Sequence, residues 1–425
     1  MGQPHADRAV EPRSLVKKSG GLEKASVHGH AVVDEDKYRA DGHVESILPQ
    51  PGVFVPRGQI GMGKIAIHDR RRQRYRCKVC KQTFSAHRGT MFEGLRKPVE
   101  LITIVVTLVT YGCPVQAIVH AFGLDERTVA DWRDRAGRHC QQVHQQIIEQ
   151  GKLDLMHVQA DEIRVKGCKM IAWMGLAMMV STRLWLGGVV QLSRDRRLAD
   201  HLMQQVRRSA QALRPLLILT DGWSAYPGSI RRAFREKVKQ SSGVGRACLQ
   251  VWADLHIGTV IKRTQKKRVV EIPRTMAHGL MAQAERLLLH TLGGSVLNTA
   301  CIERLNGTFR ERLATLTRKS RHAARRLRAL ETGMYLIGCS DNFCFPHHEL
   351  SKTKHLGFPC TPALAAGLTD HIWSLYELLS YRIAPPPWVE PKRRRRPRAQ
   401  AEPLIPPGKR PLVRLRQGRL CATTV

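Results

Sequence analysis

The sequence predicts a multidomain α/β chain in which a mixed sheet with flanking helices is preceded by a small β ribbon and a helical domain. Three observations predict it. Residues 216–221, LLILTD, are an apolar run that ends in an acid and a glycine, the pattern of a strand buried on both faces. Between residues 153 and 316, short apolar runs alternate with stretches of helical period, as α/β layers require. Upstream, β-like runs with basic turns give way to helical spacing. A chain of 425 residues has room for about two to four domains and for a sizeable core without disulfides.

Charge narrows the class of partner. Lys and Arg total 70 against 35 Asp and Glu, a formal net charge of +35, the footprint of a polyanion binder. Nucleic acid is the first reading. A membrane surface comes second, because the basic residues run through much of the chain and are not gathered on one amphipathic helix. No run reaches the roughly 18 apolar residues of a membrane span. The opening residues, MGQPHADRAVEPRSLVKK, lack the apolar centre of a signal peptide. Eleven scattered cysteines, an odd number, suit a reducing cytoplasm.

Residues 1–50 are polar and without period, which predicts a disordered arm. Residues 51–95 form the ribbon-like segment, with Cys77 and Cys80 at C-x-x-C spacing, the knuckle from which two thiolates can share a Zn²⁺. No second pair precedes it, so only His43, His68 or His87 can complete the site. A ribbon that folds without metal is the competing reading. Its basic turn (Arg70, Arg71, Arg72, Arg74, Arg76 and Lys78) suits phosphate contacts.

Residues 96–150 read as three helices. Pro98 suits a first helical position, and Leu101, Ile104, Val105 and Leu108 repeat at helical spacing. After a break at residues 111–114 a short helix runs to Phe122; Gly123 and Leu124 turn the chain, and Asp125 caps a third helix. There Val129 and Trp132 face inward while Arg127, Thr128 and Arg133 face out, the layout of a DNA-reading helix-turn-helix. Three packed helices of any other purpose share the pattern.

Residues 151–350 change texture. In LDLMHVQADEIRV a period of two puts Gln159, Asp161 and Ile163 on one strand face and Ala160 and Glu162 on the other, so only one of the adjacent acids is expected to reach a given site. Strands follow at residues 170–180 and 184–192, then a helix over about 197–213, then the strand ending in Asp221. Three strands, a helix and a strand tipped by an acid is the order of a ribonuclease-H-like sheet, although composition allows other α/β orders. Asp221 is either a site carboxylate at a sheet edge or the cap of a helix that begins near Ser224. Residues 229–275 are basic and hold one or two further strands or a hairpin, with Asp254 and His256 as polar candidates.

Residues 298–316 predict a helix with Ile302, Leu305, Phe309, Leu313 and Leu316 as its apolar stripe and Glu303, Asn306 and Arg310 on its flank. Glu303 is a metal-binding carboxylate at the border of core and solvent, or an exposed glutamate paired locally. A basic run containing Arg318 and Lys319 follows. Residues 351–425 predict one helix, a proline stop and a basic disordered tail able to add DNA affinity.

Three acids on different elements now stand together: Asp161, Asp221 and Glu303. All-oxygen ligands of this kind suit Mg²⁺ or Mn²⁺, and two such ions can clamp the attacking and leaving oxygens of a phosphodiester. With QRYRCKVCKQTFS, GLDERTVADW, the ADE at residues 160–162, LTDGWSAYP, IERLNGTFRERL and DNFCFPHH, the chain resembles the DDE transposases of bacterial insertion sequences that carry a zinc ribbon and a helix-turn-helix. The ribbon's upstream cysteine pair is missing, and Phe345 replaces a basic residue frequent in the last box.

The resemblance implies a metal-binding catalytic triad of Asp161, Asp221 and Glu303, with Glu162 left as a neighbour on the opposite face. It implies Arg127, Thr128, Arg133, Asn306, Arg310, Arg318 and Lys319 at DNA, with Asn306 and Arg310 touching the cut strand. The implied protein is a homo-oligomer in the bacterial cytoplasm, associated with the nucleoid. It binds the terminal inverted repeats of its element and target DNA in double-stranded form, and cuts and joins strands with two Mg²⁺ or Mn²⁺ ions. The rival expectation is a non-catalytic DNA-binding protein descended from a decayed transposase.

Overall fold

The computed structural model describes residues 65–383 apart from the short segments 72–73, 78–82, 169, 240–246, 267, 292, 317–323 and 353–357. The arm at 1–50, Cys80, Arg318, Lys319 and the tail beyond 383 lie outside the described residues, as does the side chain of Cys77.

Strands β1 (Ile65–Asp69), β2 (Arg74–Cys77) and β3 (Thr83–Ser85) form a small antiparallel sheet. The rings of Tyr75 and Phe84 pack across β2 and β3 with centroids 5.8 Å apart, the cross-strand contact that such a ribbon relies on. Three helices follow: α1 (Val99–Thr110), α2 (Val115–Phe122) and α3 (Glu126–Ile147). Gly123 ends α2 at φ 59°, a left-handed position where glycine carries no Cβ penalty. Asp125 then caps α3 by accepting a hydrogen bond from the Arg127 N–H at 2.7 Å.

The first turn of α3 is open to solvent, with Glu126 and Arg127 exposed, whereas His139, Cys140, Val143 and His144 further along are buried. The helix has 22 residues and therefore joins an exposed first turn to a buried core element. Its buried side chains share a continuous apolar core with those of the sheet described next.

That sheet has six strands: β4 (Met156–Lys166), β5 (Ile171–Met179), β6 (Trp185–Gln191), β7 (Leu216–Asp221), β10 (Leu255–Val260) and β13 (Arg274–His278), in the order β13-β10-β7-β4-β5-β6. β4, β5 and β6 are an antiparallel meander; β7 then returns beside β4 in parallel, β10 lies parallel to β7, and β13 closes the far edge antiparallel. The crossover from β6 to β7 is α4 (Arg196–Ser209), capped by Asp195. Helix α5 (Ala225–Ala233) follows β7. Two hairpins, β8 (Arg235–Val238) with β9 (Cys248–Val251) and β11 (Arg263–Gln265) with β12 (Arg268–Glu271), lie outside the main sheet. Helices α6 (Met281–His290), α7 (Ala300–Arg312) and α8 (Leu327–Phe343) complete the layers. Beyond them the single predicted helix is two short ones, α9 (Pro362–Ala365) and α10 (Leu375–Ser380).

The apolar run of β7 is buried on both faces. Leu216 and Ile218 join the main core, while Leu217 and Leu219 pack with Ala284, Leu288 and Leu297 under α6. Burial of each such side chain contributes about 1.5–3 kcal/mol. The edge strand β6 is secured by Asn342, whose amide donates to Trp185 O and accepts from Trp185 N–H, both at 2.9 Å. Part of the DNFCFPHH box thus replaces a missing strand neighbour.

Two helix boundaries differ from expectation. α4 stops at Ser209, and Leu213 lies beyond it, 65% exposed at φ 58°. α7 stops at Arg312, so Leu313 is its C-cap and Leu316 falls in a separate 3-10 turn. Leu313 and Leu316 remain buried; the stripe continues in space although the helix does not. No helix among the described residues is long and apolar enough to cross a membrane.

Candidate metal centre

The alternation of β4 sends its two acids to different layers. Gln159 and Asp161 face α7: Gln159 accepts from the Ile302 N–H at 3.0 Å and donates to Asn298 O at 2.8 Å, which docks the start of α7 on the strand. Asn306, one turn further along, donates its amide N–H to Asp161 Oδ2 at 2.8 Å. Glu162 faces the other way, where the Tyr226 hydroxyl on α5 donates to it at 3.0 Å and the Arg194 guanidinium pairs with it.

Asp221 stands where these two environments meet. The last paired step of β4 and β7 joins Ala160 to Thr220, so Asp161 and Asp221 are the next residues of adjacent parallel strands. Past the strand end, Asp221 turns its Oδ1 to accept from the Trp223 N–H at 3.0 Å and its Oδ2 to Arg194 Nη2 at 3.2 Å. One carboxylate oxygen from each of Asp161, Glu162 and Asp221 lies within 4.8 Å of the other two.

This corrects the expectation for Glu162. It does lie on the opposite strand face, yet its longer side chain and the position of Asp221 at the sheet edge bring it to the same cluster. Asn306 also differs: it is 1% exposed and bound to Asp161, on the buried side of α7 and not on its open flank.

Glu303 lies outside that cluster. It accepts from the Thr299 hydroxyl at 2.7 Å and pairs with Lys262, which follows β10. Its charge still reaches Asp161: burial, then Asp221, then Glu303 push the Asp161 carboxyl up to about 6, against the opposing pull of the Glu162 N–H and, more weakly, of Arg310. Glu162, with a side chain only 2% exposed, is pushed up to about 7, first by burial and next by Asp221, while Arg194 opposes the shift. In Glu303 the Lys262 and Thr299 contacts overcome burial and the pKa falls. The buried Tyr226 hydroxyl is held well above its ordinary pKa, by burial first and then by Glu162, and so remains a donor.

The composition of the cluster suits a hard divalent cation, since all its donors are carboxylate oxygens and burial and mutual repulsion both disfavour their charge until a cation arrives. Sequence reasoning missed Arg194. Its guanidinium sits 5.2 Å from the Trp173 ring centroid and 4.5 Å from that of Trp223 while bridging Glu162 and Asp221. Locally it belongs to the run RDRR that opens α4, which carries no signal of a partner across the sheet edge. Of the predicted DNA contacts, Arg127 is exposed and Thr128 half-buried at the start of α3, and Arg133 is held by Asp134 at 2.9 Å.

No family model and no curated protein matches the chain. Among solved structures it is similar to a piggyBac transposase synaptic complex with hairpin DNA determined by cryo-electron microscopy, at 11% identity over 69% of this chain and 73% of that one, with a TM-score of 0.32. A likeness that low bears on neither fold nor site, so function rests on the residues themselves.

Proposed function

We propose that the chain is an insertion-sequence DDE transposase that binds terminal inverted repeats and carries out metal-dependent DNA strand cleavage and strand transfer. The observation that carries this reading is the meeting of Asp161, Glu162 and Asp221 within 4.8 Å where the parallel pairing of β4 and β7 ends, beneath a helix whose Glu303 acts on Asp161. The meander, crossover helix and parallel return supply a ribonuclease-H-like order, and the +35 charge supplies an affinity for DNA.

Asp161, Asp221 and Glu303 are the proposed ligands of two Mg²⁺ or Mn²⁺ ions, with Glu162 as a further donor; when bound, such ions activate water and stabilise the oxygens of an in-line phosphoryl displacement. Asn306 holds the Asp161 carboxylate in one orientation. Arg194 and Lys262 neutralise the acids, and each must yield or share a carboxylate as cations and the DNA strand enter. Arg127, Thr128 and Arg133 at the start of α3, and Arg310 beside Asp161, are the proposed DNA contacts, with Arg318 and Lys319 beyond α7. Zn²⁺ at Cys77 and Cys80 belongs to the same proposal. Joining two element ends calls for a homo-oligomer, acting in the bacterial cytoplasm at the nucleoid.

The test is incubation of the full chain with a duplex carrying the element's end repeat and Mn²⁺. Strand cleavage that Asp221→Asn abolishes is expected; cleavage that persists in that variant removes Asp221 from the mechanism. The ion pairs of Arg194 and Lys262 favour one second reading, a non-catalytic DNA-binding descendant whose acids are permanently neutralised. On that reading the duplex is bound and never cut.

A further inference from the structure

Helix α7 carries a second chemical surface. At about 100° per residue, Cys301, Arg304, Thr308 and Arg312 form a stripe on the side away from Glu303, Asn306 and Arg310. They line a cleft of about 570 Å³ whose opposite wall is Arg183, Phe345, His347 and His348, a volume in the range of pockets for small ligands.

The cleft combines positive charge with an aromatic ledge. Arg183 is held at the wall by Val180 O and Cys301 Sγ, each 2.8 Å from its Nη1. Arg304 is 70% exposed and approaches Glu349 only to 3.9 Å, a carboxylate already engaged by Lys352 at 2.8 Å and His348 at 3.6 Å. Arg312 is fixed by Asp341 at 2.7 Å and lies 4.8 Å from the Phe345 ring centroid, and the Tyr111 ring stands 4.7 Å from Phe345 on the rim. The positive field is strong enough that, after burial, Arg183 and Arg304 are the main causes holding the His347 imidazole down at about 4. His347 Nδ1 is buried with no hydrogen-bond partner among the described residues, and such atoms ordinarily find one.

We infer that this cleft binds an unstacked nucleotide of a single DNA strand, with phosphate toward Arg183 and Arg304 and the base on the guanidinium plane of Arg312 that Phe345 backs. A basic groove joined to a flat π or guanidinium platform is the chemistry of single-strand recognition, and a pocket of this size takes a nucleotide and not a duplex. The site deepens the transposase reading and rests on it for the source of the strand, one freed beside the acids on the other flank of α7.

The test is fluorescence anisotropy of the full chain with labelled dT15 in EDTA, so that cleavage plays no part. Arg304→Ala with His348→Ala alters two side chains that are 70% and 82% exposed, which keeps the fold intact; Phe345→Leu removes the aromatic backing. The double variant is expected to weaken dT15 binding about tenfold and Phe345→Leu about fivefold, each leaving a blunt duplex within twofold. Unchanged dT15 affinity in both variants overturns the inference, as does an equal loss for duplex, which marks a general electrostatic surface. Free dTMP binding as tightly as dT15 also overturns it, because the cleft is then a free-nucleotide site. Loss of the transposase reading shows instead as absent cleavage with this binding intact.

Discussion

The Arg194 guanidinium bridges Glu162 and Asp221, two carboxylates that reach the sheet edge from adjacent strands, and it does so between the rings of Trp173 and Trp223. A single cation thus offsets the repulsion that drawing these acids together creates. Since the Glu162 side chain is 2% exposed and its pKa is already raised by burial, removing Arg194 leaves a carboxylate that must stay charged with little access to water or take up a proton. Arg194→Met is expected to cost about 2–4 kcal/mol, and the double change with Glu162→Gln to cost less than the single one. Urea unfolding in a double-mutant cycle measures the difference; additive losses mean that the pair is not coupled.

The raised carboxyls make a prediction about pH. In the folded chain Asp161 and Glu162 titrate at about 6 and about 7, above their ordinary values of 3.8 and 4.5, so between roughly pH 4 and 7 the native state binds more protons than the unfolded one. Stability from these groups is therefore present at low pH and is lost as pH rises through their folded pKa values. Buried histidines work in the opposite sense: His144 is held at about 4 and His157 at about 3, chiefly by burial, so their contribution grows as pH rises toward 6.5. The difference between the wild type and Glu162→Gln isolates the acid. In metal-free buffer the variant gains relative stability from about pH 4.5 to 7 and holds it above; a difference that does not vary with pH contradicts the Glu162 shift.

Asn306 fixes Asp161 from a buried position. Asn306→Ala frees that carboxylate and is expected to weaken Mn²⁺ binding by about 10–100-fold, with a stability loss of about 1–3 kcal/mol. Electron paramagnetic resonance of free Mn²⁺ reads the affinity without reference to cleavage. Wild-type affinity in the variant means that Asp161 needs no such anchor.

Arg127 lies exposed in the first turn of α3, and its backbone N–H rather than its side chain engages the Asp125 cap. Arg127→Ala therefore leaves the thermal midpoint unchanged and reduces duplex affinity. If it contacts a phosphate, the slope of log affinity against log salt falls by about one. An unaltered slope and affinity remove Arg127 from the proposed DNA contacts.

Much of this arrangement is legible along the chain because its signals are local. The apolar run into Asp221 is stopped by Gly222, Asp125 and Gly123 mark a helix–turn–helix passage, and the alternation of QADEI separates Asp161 from Glu162 by layer. Pairing between distant side chains leaves no such local trace. Arg194 is one arginine among several in RDRR, and Asn306 is a polar residue at the margin of an apolar stripe; neither position says that its partner is an acid on β4.

The sequence by itself determined the succession of strands and helix from β4 to β7, the acid at the tip of β7 and the excess of positive charge, since these follow from periodicity, turn chemistry and composition. Only the tertiary structure decided that Glu162 joins Asp161 and Asp221, that Glu303 pairs with Lys262 outside their cluster, and that the second flank of α7 shares a cleft with Arg183 and Phe345. The physical reason is range: backbone preference acts over a few residues, whereas burial and charge act between whatever groups the packing of the sheet and α7 brings within a few ångströms.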